Sequence, residues 1–192
     1  MTAANPPINS PVEPRVVVIP ASTRSGSVNK ALAEMIATEF HRQGEPTRVI
    51  DLAEYPMPLY DGDLEARDGV PATAVELARR LTSAEVLVVV SPEYNGTFTP
   101  LLKNTVDWLT RVDVSVLAHL FVLVASASPG RGGGANGTAM VRQWMANMGL
   151  SVAPGILAVA EATLDDHAQL RGLDRSELAE FVSQAAPLRR AA

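Results

Sequence analysis

The sequence predicts a doubly wound α/β domain, a five-stranded parallel sheet with helices on both faces. Two observations predict it. Five short, valine-rich runs, at 16–19, 47–52, 85–90, 120–126 and 152–160, do not alternate in polarity, which is how strands buried on both faces of a parallel sheet read. Between them, apolar residues recur at helical spacing, so strand and helix alternate five times.

The elements follow in order. Residues 1–14 are proline-rich, at Pro6, Pro7, Pro11 and Pro14, and lack the basic start and apolar stretch of a secretory leader. They are expected to be a loose tail before one domain over 15–192. Strand one is followed by a helix with the stripe Leu32, Met35, Ile36 and Phe40. Strand two leads to an irregular stretch, 55–71, and a helix with Val75, Leu77, Ala78 and Leu81. The helix after strand three carries Leu101, Leu102, Thr105, Trp108 and Leu109. The one after strand four carries Met140, Val141, Trp144, Met145 and Met148, and the last carries Leu178, Phe181, Val182 and Ala185. These stripes are expected to pack in the core. Pro154 inside the fifth run points to an edge strand, where a missing N–H is tolerated.

Composition narrows the function classes. Hydrophobic residues at 47% against 19% charged exclude a disordered chain. A net charge of −5 without a basic face gives no sign of nucleic-acid binding. Apolar runs of about half a dozen residues fall short of the roughly 20 needed to span a membrane. The absence of cysteine excludes disulfides, thiol catalysis and thiolate metal sites, and is compatible with the cytoplasm. His41, His119 and His167 lack metal-ligand spacing. Asp61-Gly62-Asp63-Leu64-Glu65 resembles the start of a calcium loop, but Ala66 stands where that loop requires glycine.

Three loops carry the candidate chemistry. After strand one comes Ser22-Thr23-Arg24-Ser25-Gly26-Ser27-Val28-Asn29. Unpaired N–H groups at a helix start favour an anion, hydroxyls add donors, and Arg24 adds a fork suited to phosphate. An ordinary cap by Ser25 or Ser27 is the plain alternative, though a cap needs only one such residue. After strand three comes Ser91-Pro92-Glu93-Tyr94-Asn95-Gly96-Thr97-Phe98-Thr99-Pro100, with Thr99 and Pro100 reading as cap and first residue of the next helix. Its polar turn could seat a flat heteroaromatic ring, or be a plain strand-to-helix connection. In strand order 2-1-3-4-5 the crevice lies between strands one and three, so these two loops converge. After strand four, residues 127–137 contain Gly132, Gly134 and Gly137 in G-x-G-x-x-G spacing. The motif follows the fourth strand rather than opening a first βαβ unit, so it is read as a flexible wall of the same crevice rather than a dinucleotide fingerprint.

These residues resemble the NADPH-dependent FMN reductase family, which includes bacterial quinone, chromate and azo-dye reductases. The likeness rests on Ser22, Arg24, Ser27 and Asn29 after strand one, and on Pro92-Glu93-Tyr94-Asn95-Gly96 after strand three. Leu102-Lys103-Asn104 with Asp107-Trp108, the Ser/Gly-rich 126–134, and Pro58-Leu59-Tyr60-Asp61 before Leu64-Glu65 extend it. Ala21 departs from the family's usual glycine. The resemblance implies a flavodoxin-like fold and FMN, with its phosphate on Ser22, Arg24, Ser27, Val28 and Asn29. It implies a ring resting on Pro92, Glu93, Tyr94, Asn95 and Gly96, and walled by Ser126, Ser128 and Gly130. It further implies NADPH or NADH as co-substrate, the nicotinamide stacking over the exposed ring face, and a homodimer or tetramer. The flavin would take hydride at N5 and pass it to a quinone or similar acceptor, so no side chain is nominated as acid or base. The alternatives are a reductase supplying free reduced flavin to a monooxygenase and a non-enzymatic electron carrier of flavodoxin type.

Overall fold

A computed structural model describes residues 13–185 of the 192-residue chain. The tail expected over 1–14 lies outside the described residues except for Glu13 and Pro14. Five parallel strands form the sheet: β1 (Val16–Pro20), β2 (Thr47–Val49), β3 (Val86–Val90), β6 (Phe121–Ala127) and β7 (Ser151–Val159). Their order is β2-β1-β3-β6-β7, the 2-1-3-4-5 winding, with β1 flanked by β2 and β3 in parallel register. Two short hairpins, β4 (Glu93–Tyr94) with β5 (Thr97–Phe98) and β8 (Thr163–Leu164) with β9 (Leu170–Arg171), complete the strands.

Every residue of β1 and β3 is buried, which is why these runs do not alternate. One layer holds α1 (Val28–Arg42) and α6 (Arg175–Ser183), packed on Val16, Val18, Val88 and Leu123. The other holds α3 (Ala72–Leu81), α4 (Pro100–Val112) and α5 (Ala135–Asn147), packed on Val17, Ile19, Val89 and Val124. Alternate residues of one strand therefore feed opposite layers. Among the described residues, no helix is long and apolar enough to cross a membrane.

Several expectations need correction. Strand two stops at Val49, because the Asp51 carboxylate accepts from Ala53 N and caps a 3-10 turn, Leu52–Glu54. The 55–71 stretch contains α2 (Gly62–Asp68), seven residues that bury none of their own, held by Asp61 accepting from Asp63 N and Leu64 N. Val75 is not core: it is 48% exposed, and Ala74 takes the inward place beside Leu77, Ala78 and Leu81. Met140 and Met148 likewise lie outside, with Val141 and Met145 inside. Pro154 does sit in an edge strand, within a bulge where register jumps from Val122↔Val152 to Val124↔Ile156.

Candidate functional site

The crevice forms beyond the carboxyl ends of β1, β3 and β6, at the point where the winding reverses. The loop leaving β1 turns at Gly26, whose φ of 64° is left-handed. Ser27 caps α1 by accepting from Lys30 N at 3.4 Å, and Ser22 Oγ accepts from Arg24 N at 3.4 Å. Both serines are buried, whereas Thr23, Arg24 and Ser25 are exposed. The Arg24 side chain meets no carboxylate among the described residues. Ala21 lies outside the left-handed region, so the alanine at that place brings no backbone strain.

Asn29 faces inward. It is buried, its Nδ2 donates to Ala127 O at 2.8 Å, and its Oδ1 accepts from Ala127 N at 2.9 Å. Its carboxamide therefore joins the start of α1 to the end of β6. Val28 is buried beside it.

The loop after β3 is a tight hairpin. Asn95 (φ 53°) and Gly96 (φ 82°) make the left-handed pair that a two-residue turn with right-twisted strands requires. Pro92 is buried, while Tyr94, at 49% exposure, and both turn residues face solvent. Glu93 is half-buried, and its Oε2 accepts from Gly137 N at 2.9 Å. Helix α5 starts at left-handed Gly134 without a side-chain cap, so Glu93 caps it from 44 residues away and favours its positive end. Phe98 stacks on Trp144 at 4.8 Å, fixing the hairpin's other strand on α5. Thr99 caps α4 by accepting from Leu102 N and donates to Ala21 O, both at 3.2 Å.

Part of the glycine-rich loop packs closely against its neighbours. Gly133 (φ 60°) and Gly134 (φ 86°) are left-handed. A Cβ on Gly133 would come within 2.8 Å of the backbone of Ala158 and Ala160, and one on Gly134 would overlap Ser126 Oγ. Within the G-x-G-x-x-G spacing, Gly134 and Gly137 answer close packing, whereas Gly132 stands in open space. Ser126 is fully buried, and its hydroxyl lies against Gly134 with no hydrogen-bond partner among the described residues. Ser128 is half-buried and accepts from Gly130 N at 3.1 Å, and Gly130 is exposed at the rim.

A clasp between α4 and the 58–60 loop was not read from the sequence. Asn104 Oδ1 accepts from Tyr60 N at 2.8 Å and its Nδ2 donates to Pro58 O at 2.9 Å, while Trp108 Nε1 donates to the same carbonyl at 2.8 Å. The i, i+4 pair Asn104 and Trp108 thus clasps the 58–60 loop onto α4. Tyr60 lies edge-on to Trp108 at 5.1 Å and donates to Glu65 Oε2. A hydrogen bond from Arg111 holds the Glu65 carboxyl below its ordinary pKa, and the bond to Glu65 raises that of Tyr60. The spacing of Asn104 and Trp108 was the available signal. Among the described residues, no group of His, Asp and Glu could hold a metal ion. A groove of about 950 Å³ between α1 and α6 contains none of the loop residues above.

Known proteins extend this picture. The family model described as NADPH-dependent FMN reductase matches residues 14–164. The chain is 36% identical to a quinone reductase of Escherichia coli over 129 residues, 67% of this chain and 68% of that one. It is 33% identical to an NAD(P)H-dependent FMN reductase of Pseudomonas aeruginosa over 131 residues, again 67% and 68%. In fold it is similar to the flavoenzyme FerB, an NAD(P)H:(acceptor) oxidoreductase of Paracoccus denitrificans, with TM-score 0.69 and 20% identity over 91% of this chain and 97% of that one. The chain has the flavodoxin-like fold and belongs to the NADPH-dependent FMN reductase family, oxidoreductases working with FMN and NAD(P)H.

Proposed function

We propose that this crevice holds FMN and that the enzyme carries hydride from NAD(P)H to a quinone or similar small acceptor. The observation that carries this reading is Arg24: an exposed arginine with no carboxylate partner among the described residues, at the positive end of α1, on the loop that enters the crevice. The donor set fits a phosphate monoester. The Ser22 and Ser27 hydroxyls each accept one bond from the backbone and keep a proton to donate. First-turn N–H groups, including those of Val28 and Asn29, lack intrahelical acceptors. The Asn29 side chain is occupied with Ala127, so its part would be to fix the loop and offer its backbone N–H.

The hairpin Glu93–Tyr94 with Asn95 and Gly96 would support the ring, with backbone N–H groups facing its N1/O2 edge, where charge grows on reduction. Glu93 would act through its cap on α5, which holds that hairpin still. Ser128 and Gly130 would wall the far side. FMN, when bound, supplies hydride acceptance at N5 and onward electron transfer. With Tyr94 as the aromatic residue of this turn, one ring face stays open, and nicotinamide and acceptor would use it in turn. The enzyme would work in the cytoplasm as a homodimer or tetramer.

The test is the flavin absorbance of the purified protein, followed by NADPH titration without oxygen and steady-state kinetics with a quinone. Bound flavin, direct bleaching and parallel double-reciprocal lines are expected. Failure to oxidise NADPH with FMN and quinone present would overturn the reading. Intersecting lines would overturn the shared face.

A further inference from the structure

Arg131, in the glycine-rich loop, has no part in the flavin site described above. It is exposed, and its guanidinium meets no carboxylate among the described residues. It carries the only side chain beyond Cα between Gly130 and Gly134. The surrounding turn is fixed. Gly130 O accepts from Gly133 N at 3.2 Å and from Glu161 N at 3.1 Å, and Ser128 O accepts from Ala162 N at 2.9 Å. The left-handed Gly133 lies tight against the backbone at the end of β7. Arg131 therefore projects from a frame tied to the sheet, among residues bare enough for a bulky anion to approach.

Two phosphate-bearing molecules share the crevice in the proposed function, on which this inference rests. Arg24 would serve the FMN phosphate. Arg131 follows β6, two strands from β1 and so roughly 10 Å across the sheet. That separation is wide enough for the two guanidinium groups to serve different phosphates. Among the described residues the Arg131 guanidinium has no carboxylate partner, which leaves its fork of donors available to an anion. The remaining anions belong to the nicotinamide nucleotide, and NADPH differs from NADH only by its 2′-phosphate. We propose that Arg131 is a specificity-determining residue that receives the 2′-phosphate of NADPH.

The experiment uses the full-length holoprotein, with Arg131→Ala and Arg131→Lys beside the parent. Two quantities are read: the ratio of kcat/KM for NADPH over NADH, and the affinity for 2′,5′-ADP against 5′-ADP by calorimetry. The parent is expected to favour NADPH and 2′,5′-ADP. Arg131→Ala should lower both preferences roughly 10- to 100-fold, and Arg131→Lys should restore part of them. A parent without either preference, or a variant whose preferences stay within about twofold of the parent's, overturns the proposal. So does an equal loss for NADPH and NADH, which would move the contact to the pyrophosphate. If the parent oxidises neither nucleotide, the function proposed above fails, and 2′,5′-ADP binding still decides the role of Arg131.

Discussion

The Asn29 carboxamide and the Ala127 peptide share two hydrogen bonds, at 2.8 and 2.9 Å, across 98 residues of sequence. Both residues are buried. Removing the carboxamide leaves an N–H and a C=O without partners in a dry place. Asn29→Ala should therefore cost about 2–4 kcal/mol, a fall in Tm of roughly 4–16 °C. A variant melting with the parent would show that water or neighbouring groups replace both bonds.

Ser126 and Gly134 make the opposite case. The Ser126 hydroxyl is buried without a partner among the described residues, so Ser126→Ala removes a group unsatisfied there. It should leave stability unchanged or raise it by up to about 1 kcal/mol, with flavin content unaltered. Loss of flavin would show the hydroxyl turning to a ligand. Gly134→Ala combines a left-handed φ with overlap on Ser126, and should cost at least about 2 kcal/mol by urea denaturation.

What the sequence revealed and what it hid have one physical cause. Runs buried on both faces, such as Val16–Pro20 and Val86–Val90, cannot be mistaken for amphipathic segments, so the sheet and its winding were legible. Helix α2 buries none of its residues and so has no stripe, although the Asp61 cap that holds it was in view. Met140 and Val75 looked like core because period alone cannot say which flank of a stripe meets the sheet. Which loops line the crevice follows from topology. That Glu93 caps α5, and that the Asn29 side chain turns to β6, depends on contacts 44 and 98 residues apart that no local pattern encodes.

Arg24→Ala should weaken FMN binding roughly 10- to 150-fold, the range for a charge-assisted hydrogen bond. Riboflavin, which lacks the phosphate, should bind both proteins alike. Fluorescence titration of the apoprotein measures each ligand. Equal losses for both would make Arg24 a support of its loop.

Glu39 should titrate far below an ordinary carboxyl. The hydrogen bond from Arg42 is the main cause and that from Gln43 the next, and together they hold it at about 2 against 4.5. Because the folded value is depressed, this contribution to stability is present above the unfolded pKa. It is lost as pH falls from about 4.5 through about 2. Carboxyl NMR should place the midpoint near 2 in the parent and return it toward 4.5 in Arg42→Ala. An unmoved midpoint would assign the depression to other groups.

Asn104 and Trp108 offer a test of shared work, because both donate to Pro58 O. Trp108→Phe removes one N–H and leaves a gap in a buried site, yet Pro58 O keeps Asn104 as a donor. It should cost about 1–3 kcal/mol, mostly from lost packing. Asn104→Ala also strands Tyr60 N, but leaves Pro58 O bonded to Trp108. Only the double variant leaves that carbonyl with neither donor. Its cost should therefore exceed the sum of the single costs, by about 0.5–1.5 kcal/mol in a double-mutant cycle. The cycle cancels the packing loss, which is the same with or without Asn104. Faster hydrogen exchange at Tyr60 N should appear wherever Asn104 is replaced and not in Trp108→Phe alone. Strict additivity would mean that water replaces the lost donors, and that the 58–60 loop is held mainly by the edge-on packing of Tyr60 against Trp108.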